Sequence, residues 1–491
     1  MNSLYNNDSM FNKLQTIDAP YVRLQVEKDL DRTNKNTLIS LFDVLGKWQE
    51  SEYDKSLYAN LFCDNEFEDL YVLSRPYCSY KYLSFKETEK ENNPYHLIGS
   101  HKAFRALSGV LQYGIWLHKI GTKWVEYNSH HTRLVHSLDT AFNAEIIARK
   151  LWFDEKQVIT MIIAWLLHDV ATPKFSDVTM KAFPNLKEEE NFLSYINEYP
   201  DLVKDIETHF DVSLKDISDI INNNKTLHGH ILDVADKFAY TARDLNEVYA
   251  DGVYGIPPQI FGGSDKFAHA ILEILWRNKK PFDVLLSVSL SISWDRLVFE
   301  DSQSLLDILF LRAYMHNMIY LNKHVRGKEY LVWLALRYLV DKNIVSSDDL
   351  QHKRIVENDF SLYHKEGKIP DFIYQIDGFY DINIHTSFDE AKVSISNVMK
   401  HNVPVFVVKT PSFKPGETFL TRDTFGQEKS IAEIFPQQTK SIQKLWKATD
   451  GYAVVSLRSE DIPSLSKNFS DFFLFLQSES EKNIDQFLSK K

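Results

Sequence analysis

Cysteine is nearly absent from this 491-residue sequence: Cys63 and Cys78 are the only two, and their spacing matches no thiolate zinc pattern. That scarcity excludes a disulfide scaffold and a zinc finger, and it fits a reducing compartment. No apolar run is long enough to cross a bilayer, and the opening MNSLYNNDSMFNKLQ lacks a basic segment followed by an apolar one. A cytoplasmic protein with no membrane partner is expected. Excess positive charge is missing too: 56 Lys and Arg stand against 68 Asp and Glu, for a formal net charge of -12. A nucleic-acid surface is therefore unexpected, because phosphate backbones are held by clustered cations. A small anionic ligand needs only a local cationic pocket, so that class stays open. Fixed-period repeats and long low-complexity tracts are also lacking.

What is present is the material of a folded core. Hydrophobic residues make up 44% of the chain and aromatics 13%, as in ordinary globular proteins, and the length suits two or three structural units. The charged stretch KETEKENN, Lys86 to Asn93, marks a first boundary, leaving residues 1–93 as an N-terminal elaboration with no readable role. From Pro94 to Val345 helical periodicity dominates. Val158 to His168 (VITMIIAWLLH) is apolar nearly all round and reads as a buried helix. After position 345 the texture changes: PDFIYQI, VPVFVVK and YAVVSL are short strand-like runs, with SIAEIFPQQTKSIQKLW between the second and third. The expected fold class is mainly α, a helical core over 94–345 with a smaller C-terminal α/β (α+β) subdomain over 346–491.

Three segments set metal-ligand residue types within or beside apolar helical patterns: HHTRLVHSLD (His130 to Asp139), AWLLHDVATPKFSD (Ala164 to Asp177) and LDVADKFAYTARDLNEV (Leu232 to Val248). In the second, His168 and Asp169 close the apolar helix, where two adjacent side chains can converge on one ion. An isolated His-Asp pair is more often a buried histidine beside a surface carboxylate. In the third, Ile231, Val234, Phe238, Leu245 and Val248 form a buried stripe, while Asp236, Tyr240 and Asp244 share another with Lys237 one step round. That ridge could equally be a solvated polar face. Two imidazoles and two carboxylates together suit Mg, Mn, Fe, Ni or Zn better than copper, and an ion there can polarise a phosphoryl group.

The order His136, then His168-Asp169, then Asp236 resembles the HD superfamily, and the flanking words resemble its deoxynucleoside triphosphate triphosphohydrolase branch. HHTRLVHS is similar to that branch's H-x-R-F-E-H-S, WLLHDVATPKFSD to its L-x-H-D-x-x-H-x-P-F-S-H, and ADKFAYTARD to its V-D-K-x-D-Y-x-x-R-D. LRAYMHNMIYLNKHV resembles a family helix carrying an arginine eight positions before a tyrosine, here Arg312 and Tyr320, with Lys323 beyond. The resemblance implies an HD-domain helical core and a divalent metal (Mg, Mn, Fe or Zn) held by His136, His168, Asp169 and Asp236. It also implies a deoxynucleotide substrate, its triphosphate bound by Arg133, Lys237 and Arg312 with Lys323 nearby. Tyr240 and Asp244 would meet the 3′-hydroxyl, and Tyr320 would pack near the 2′ position. The implied reaction is water attack at the α-phosphorus, releasing deoxynucleoside and inorganic triphosphate.

The chain departs from that pattern. Thr172 and Asp177 stand where the family has two further histidines, and Glu189-Glu190 is the nearest counterpart of a later His-Glu pair. Asp177 and Glu189 are therefore the expected acid–base residues, since a carboxyl with a raised pKa can do general acid work. A different HD phosphatase or phosphodiesterase reaction, or a nucleotide sensor without turnover, are the alternatives these departures favour. The C-terminal run VPVFVVKTPSFKPG loosely resembles the subdomain through which relatives assemble and answer to nucleotide effectors, which implies a homo-oligomer and control by an effector nucleotide. Control of nucleotide pools, or depletion of deoxynucleotides during phage infection, would be the biological use. His130, His131, His228 and His230 read as structural, and Trp116, Trp124 and Trp165 as core aromatics.

Overall fold

The computed structural model describes residues 93–489, apart from 111, 113–115, 121–122, 128–131, 223–225, 251–288, 294–295, 317–319, 322, 352–379, 402, 411–419, 424, 448–450 and 469. Residues 1–92 and the run PDFIYQI thus lie outside the described residues. Most of what is described is helical, with one hairpin near the start and small sheets toward the C-terminus.

Three helices frame the centre. Helix α1, Arg133–Lys150, is capped by Thr132, whose side chain accepts from the Val135 amide. Helix α2, Glu155–Leu167, begins with a capping box between Asp154 and Gln157 that satisfies two otherwise orphaned amides. From Met161 to Leu167 every residue of α2 is buried, as its all-round apolar pattern predicts, and His168 is its C-cap. Helix α3, Leu227–Ala250, buries Ile231, Val234 and Phe238 along one stripe. Helix α1 packs between α2 and α3, so the three motif-bearing segments meet at one place.

One departure from the helical expectation lies before α1: Trp116–Ile120 and Lys123–Tyr127 form an antiparallel hairpin, β1–β2, with Trp116 opposite Tyr127. A second hairpin, β3 (Leu290–Ser293) and β4 (Arg296–Phe299), precedes helix α4, Ser302–Met315. Strand β7, Leu420–Arg422, joins β4 in parallel and pairs in turn with β8, Glu428–Ser430.

Strands β5 (Tyr380–His385), β9 (Gly451–Leu457) and β6 (Val405–Thr410) form an antiparallel sheet in the order β5-β9-β6. Its two faces alternate by residue, as a pleated strand requires. Phe406 and Val455 join a cluster with Leu331, Leu334 and Ala335 of helix α5, Lys323–Asp341. Val405, Val407 and Val454 turn to the opposite cluster, with Ala391, Ile395 and Phe487. Helix α5 comes so near the sheet at Gly327 that a Cβ there would lie 3.0 Å from Val455 Cγ2 and 3.1 Å from Ile382 Cδ1. Strand β6 is also bound along its outer edge by side chains. Ser480 accepts from the Val405 amide and Asn483 from the Val407 amide, at 2.8 and 2.6 Å.

Packing crosses position 345 in both directions. Ile431 and Ile442 join the hydrophobic cluster built on α1, α2 and α3, while Val178 and Leu186 join the cluster of α5 and the sheet. No helix among the described residues is long and apolar enough to cross a membrane.

Candidate metal centre

His136 sits one turn into α1, His168 at the end of α2 and Asp236 in the first half of α3. One potential ligand atom from each falls within 4.8 Å of the others. His136 Nε2 lies 2.8 Å from Asp236 Oδ1 and 3.7 Å from Asp169 Oδ2. Asp169 stands just outside the trio, with Oδ1 3.4 Å from His168 Nε2. The His136 and His168 rings meet edge to face at 5.6 Å.

The tautomer of His168 follows from its neighbour. Nδ1 lies 2.6 Å from the Trp165 carbonyl, and a carbonyl can only accept, so Nδ1 carries a proton and, in the neutral ring, Nε2 keeps the lone pair. Nε2 is buried and makes no hydrogen bond among the described residues. A backbone carbonyl behind one ring nitrogen and an open lone pair in front is the arrangement metal-binding histidines use.

Electrostatics fit the same reading. Burial works against charge on His136, but the Asp236 hydrogen bond and the Asp236 and Asp169 carboxylates outweigh it and raise its pKa. Burial likewise opposes ionisation of Asp169, yet Arg133, His168 and His136 hold it well below the usual carboxylate range. Asp236 is lowered against burial by His136. Two ionised carboxylates around two imidazoles call for a cation, and a proton on His136 answers that call only in part. The mixed nitrogen and oxygen donors suit a divalent ion of the Mg, Mn, Fe or Zn group.

Residues 133–241 match the family described as HD domain. This segment is an HD domain. It opens on Arg133 and closes after Tyr240, so it contains all four expected ligands. No curated protein matches the chain. Among solved structures, a hypothetical protein from Aquifex aeolicus is similar with a TM-score of 0.52 at 16% identity, over 76% of this chain and 95% of that one. A phosphohydrolase from Bacteroides thetaiotaomicron is similar with a TM-score of 0.50 at 17% identity, over 74% and 95%. At such identities the likeness is one of fold.

The other expected site residues of the HD domain and its surroundings fall into four sets. Tyr240 and Arg312 come together: Arg312 Nε donates to the Tyr240 hydroxyl, and its guanidinium lies 5.8 Å from the Tyr240 ring centre. Tyr320 meets Tyr240 edge to face at 5.9 Å. Burial pushes the Tyr240 phenol up to about 12, although Arg312 pulls it down. Lys237, one residue beyond Asp236, donates to Asp233 one turn back. Arg133 is paired with Asp177 at 3.1 Å, the Asp177 side chain being exposed, and also donates to Asp169. Asp244 in α3, Lys323 at the start of α5 and Glu189 in the helix Glu188–Ile196 have described backbones. Their side chains lie outside the described residues.

Sequence reading missed two residues. His316 sits between Arg312 and Tyr320 at four-residue steps, its ring 4.8 Å from Tyr320 and its Nε2 3.4 Å from the Tyr240 hydroxyl. Helical spacing alone could have found it. Burial first, then Arg312 and Arg326, drive its pKa well below the ordinary imidazole value, so the ring is neutral. Glu188 was hidden in the run Glu188-Glu189-Glu190, which reads as solvent-facing charge. Thr172 donates to its carboxylate. Burial and the Asp169 charge push Glu188 up to about 8, against the pull of Arg133.

That shift has a measurable sign. The folded value lies above the ordinary 4.5, so the stability Glu188 contributes is present below about pH 4.5 and lost as pH rises through about 8. Glu188→Gln keeps the neutral form at every pH. In chelator-treated protein, the wild-type melting temperature should fall relative to that of Glu188→Gln between about pH 5 and pH 9. Parallel curves would show that Glu188 ionises normally.

Proposed function

We propose that this chain is a metal-dependent phosphohydrolase that cleaves deoxynucleoside triphosphates to deoxynucleoside and inorganic triphosphate. The observation that carries the reading is the joining of two half-sites on α3. Asp236 meets His136 and His168, and Tyr240, one turn further, meets Arg312. A candidate metal centre and a cluster that carries a cation and a phenol therefore share one helix. The HD domain and the fold shared with a phosphohydrolase support the coarser part of the reading.

The chemistry a divalent ion supplies when bound is Lewis acidity toward a phosphoryl oxygen and toward water. The protein's own groups do the rest. Arg312 presents a planar fork suited to phosphate oxygens, and Lys237 adds a second cation. Tyr240 keeps its proton at neutral pH and can donate to a sugar hydroxyl. Tyr320 and neutral His316 join the same cluster through edge-to-face ring contacts. Water oxygen forms a bond to the α-phosphorus, the bond from phosphorus to the 5′-oxygen breaks, and that oxygen takes up a proton. Asp177 and Glu189 are the proposed acid–base residues, and Glu188 joins them as a carboxyl that holds its proton near neutrality.

Chromatography of products tests the reading. The pure protein is incubated with Mn²⁺ or Mg²⁺ and each deoxynucleotide, singly and in mixtures, so that an activating nucleotide is detected as well as a substrate. Inorganic triphosphate and deoxynucleoside are the expected products. Orthophosphate or a linear nucleotide would move the assignment to another HD reaction. Intact nucleotides in every mixture would make the protein a nucleotide sensor, with Thr172 and Asp177 as the cause.

A further inference from the structure

We propose that Arg133 is a positioning residue for the metal centre, a brace that holds the Asp169 carboxylate in place, and not a clamp on substrate phosphate. Its guanidinium makes four hydrogen bonds to protein: Nη1 donates to Asp169 Oδ2 at 2.8 Å, Nε and Nη2 to Ser176 Oγ at 3.1 and 2.7 Å, and Nη2 to Asp177 Oδ1 at 3.1 Å. An arginine has five such donors, so little of the fork is left for a ligand. A phosphate that took the Nη1 donor would leave a buried carboxylate without its partner, which is the costly way to break a buried ion pair. Asp169 is only 2% exposed.

The partners of Arg133 are themselves held in an unusual way. Phe175 and Ser176 both have left-handed backbone, with φ of 64° and 50°, a conformation that bulky side chains avoid. The turn brings the fully buried Ser176 hydroxyl under two of the guanidinium nitrogens. It is pinned from a distant part of the chain: the Lys174 amide donates to the Leu350 carbonyl, and the Gln351 side chain donates to the Ala171 carbonyl, each at 2.9 Å. Arg133 lies three residues before His136 on α1. The brace therefore fixes the N-terminal end of α1, with one candidate ligand, to the loop after α2, with two others. A cationic clamp for phosphate is then left to Arg312 and Lys237.

This inference rests on the reading of His136, His168, Asp169 and Asp236 as a metal centre and is independent of the substrate. Calorimetric titration of Mn²⁺ alone into chelator-stripped, full-length protein tests it, with circular dichroism to show that each variant is folded. Arg133→Lys keeps the charge but cannot span Asp169 and Ser176, and it should weaken Mn²⁺ binding about 10- to 100-fold, the usual effect of losing a group that orients a ligand. Ser176→Ala, which leaves the pair with Asp169 in place, should weaken it less and keeps the comparison available if Arg133→Lys does not fold. Rescue by lysine, with Mn²⁺ affinity within about twofold of wild type and loss confined to binding of inorganic triphosphate, would overturn the brace and make Arg133 a phosphate ligand. A wild-type protein that takes up no Mn²⁺ would instead remove the metal centre and the brace with it.

Discussion

Replacing Asp236 with alanine should abolish metal-dependent hydrolysis and leave the fold intact. Asp236 contributes the oxygen nearest to His136 and is the only carboxylate in the group that gathers within 4.8 Å among the described residues. Lewis-acid stabilisation of a phosphoryl transition state is worth several kcal/mol, and each ~1.4 kcal/mol is tenfold in rate, so a loss of about a thousandfold or more is expected. The fold has little reason to suffer. The Asp236 side chain is one-third exposed, and its removal takes away a negative charge that opposes Asp169 in the absence of metal. Metal content by mass spectrometry, turnover of the hydrolysed nucleotide and far-ultraviolet circular dichroism check the three parts together. An Asp236→Ala protein that is active without bound metal would end the case for this centre.

The parts of the site that were legible in the sequence are those set by helical periodicity. His168 had to end the apolar run Val158–Leu167, and Asp236 and Tyr240 had to share a stripe. The structure places all three residues by those rules. What was illegible depends on conformations that residue type does not advertise. Nothing about Phe175 announces a left-handed turn, yet that turn decides which partners Arg133 has. Glu188 looked the same as Glu189 and Glu190, and nothing in that run marks it as the carboxylate that accepts from Thr172. The C-terminal sheet was legible at VPVFVVK and YAVVSL because β-branched runs of that length have few alternatives. Strands β7 and β8, three residues each and mostly polar, carry no alternation to detect, and the sheet they complete depends on pairing with β4 from more than a hundred residues earlier.

The largest expected effect on stability lies one turn behind the metal centre, at Trp165. It is fully buried, among the largest such side chains of the described residues, and it belongs to the cluster that joins α1, α2 and α3. Trp165→Ala should destabilise the HD domain by about 3–5 kcal/mol, the range for removing a large aromatic from a packed core. At roughly 2–4 °C per kcal/mol for a unit of this size, the melting temperature should fall on the order of 10 °C. Trp165→Phe should behave differently. The indole Nε1 is buried without a hydrogen bond among the described residues, and an unmet buried donor costs about 1–3 kcal/mol. Phenylalanine removes that penalty while filling much of the space, so it should recover most of the loss. The alanine variant should also weaken Mn²⁺ binding, because the Trp165 carbonyl holds His168 Nδ1 and a collapsed core would let that segment of α2 shift. Thermal melts of the three proteins, with chelator and with saturating Mn²⁺, separate the two effects. Equal melting of Trp165→Ala and wild type in chelator would refute the packing argument. An unchanged Mn²⁺-induced increment in the alanine variant would show that the His168 ring is held by the backbone of α2 alone and not by the core beneath it.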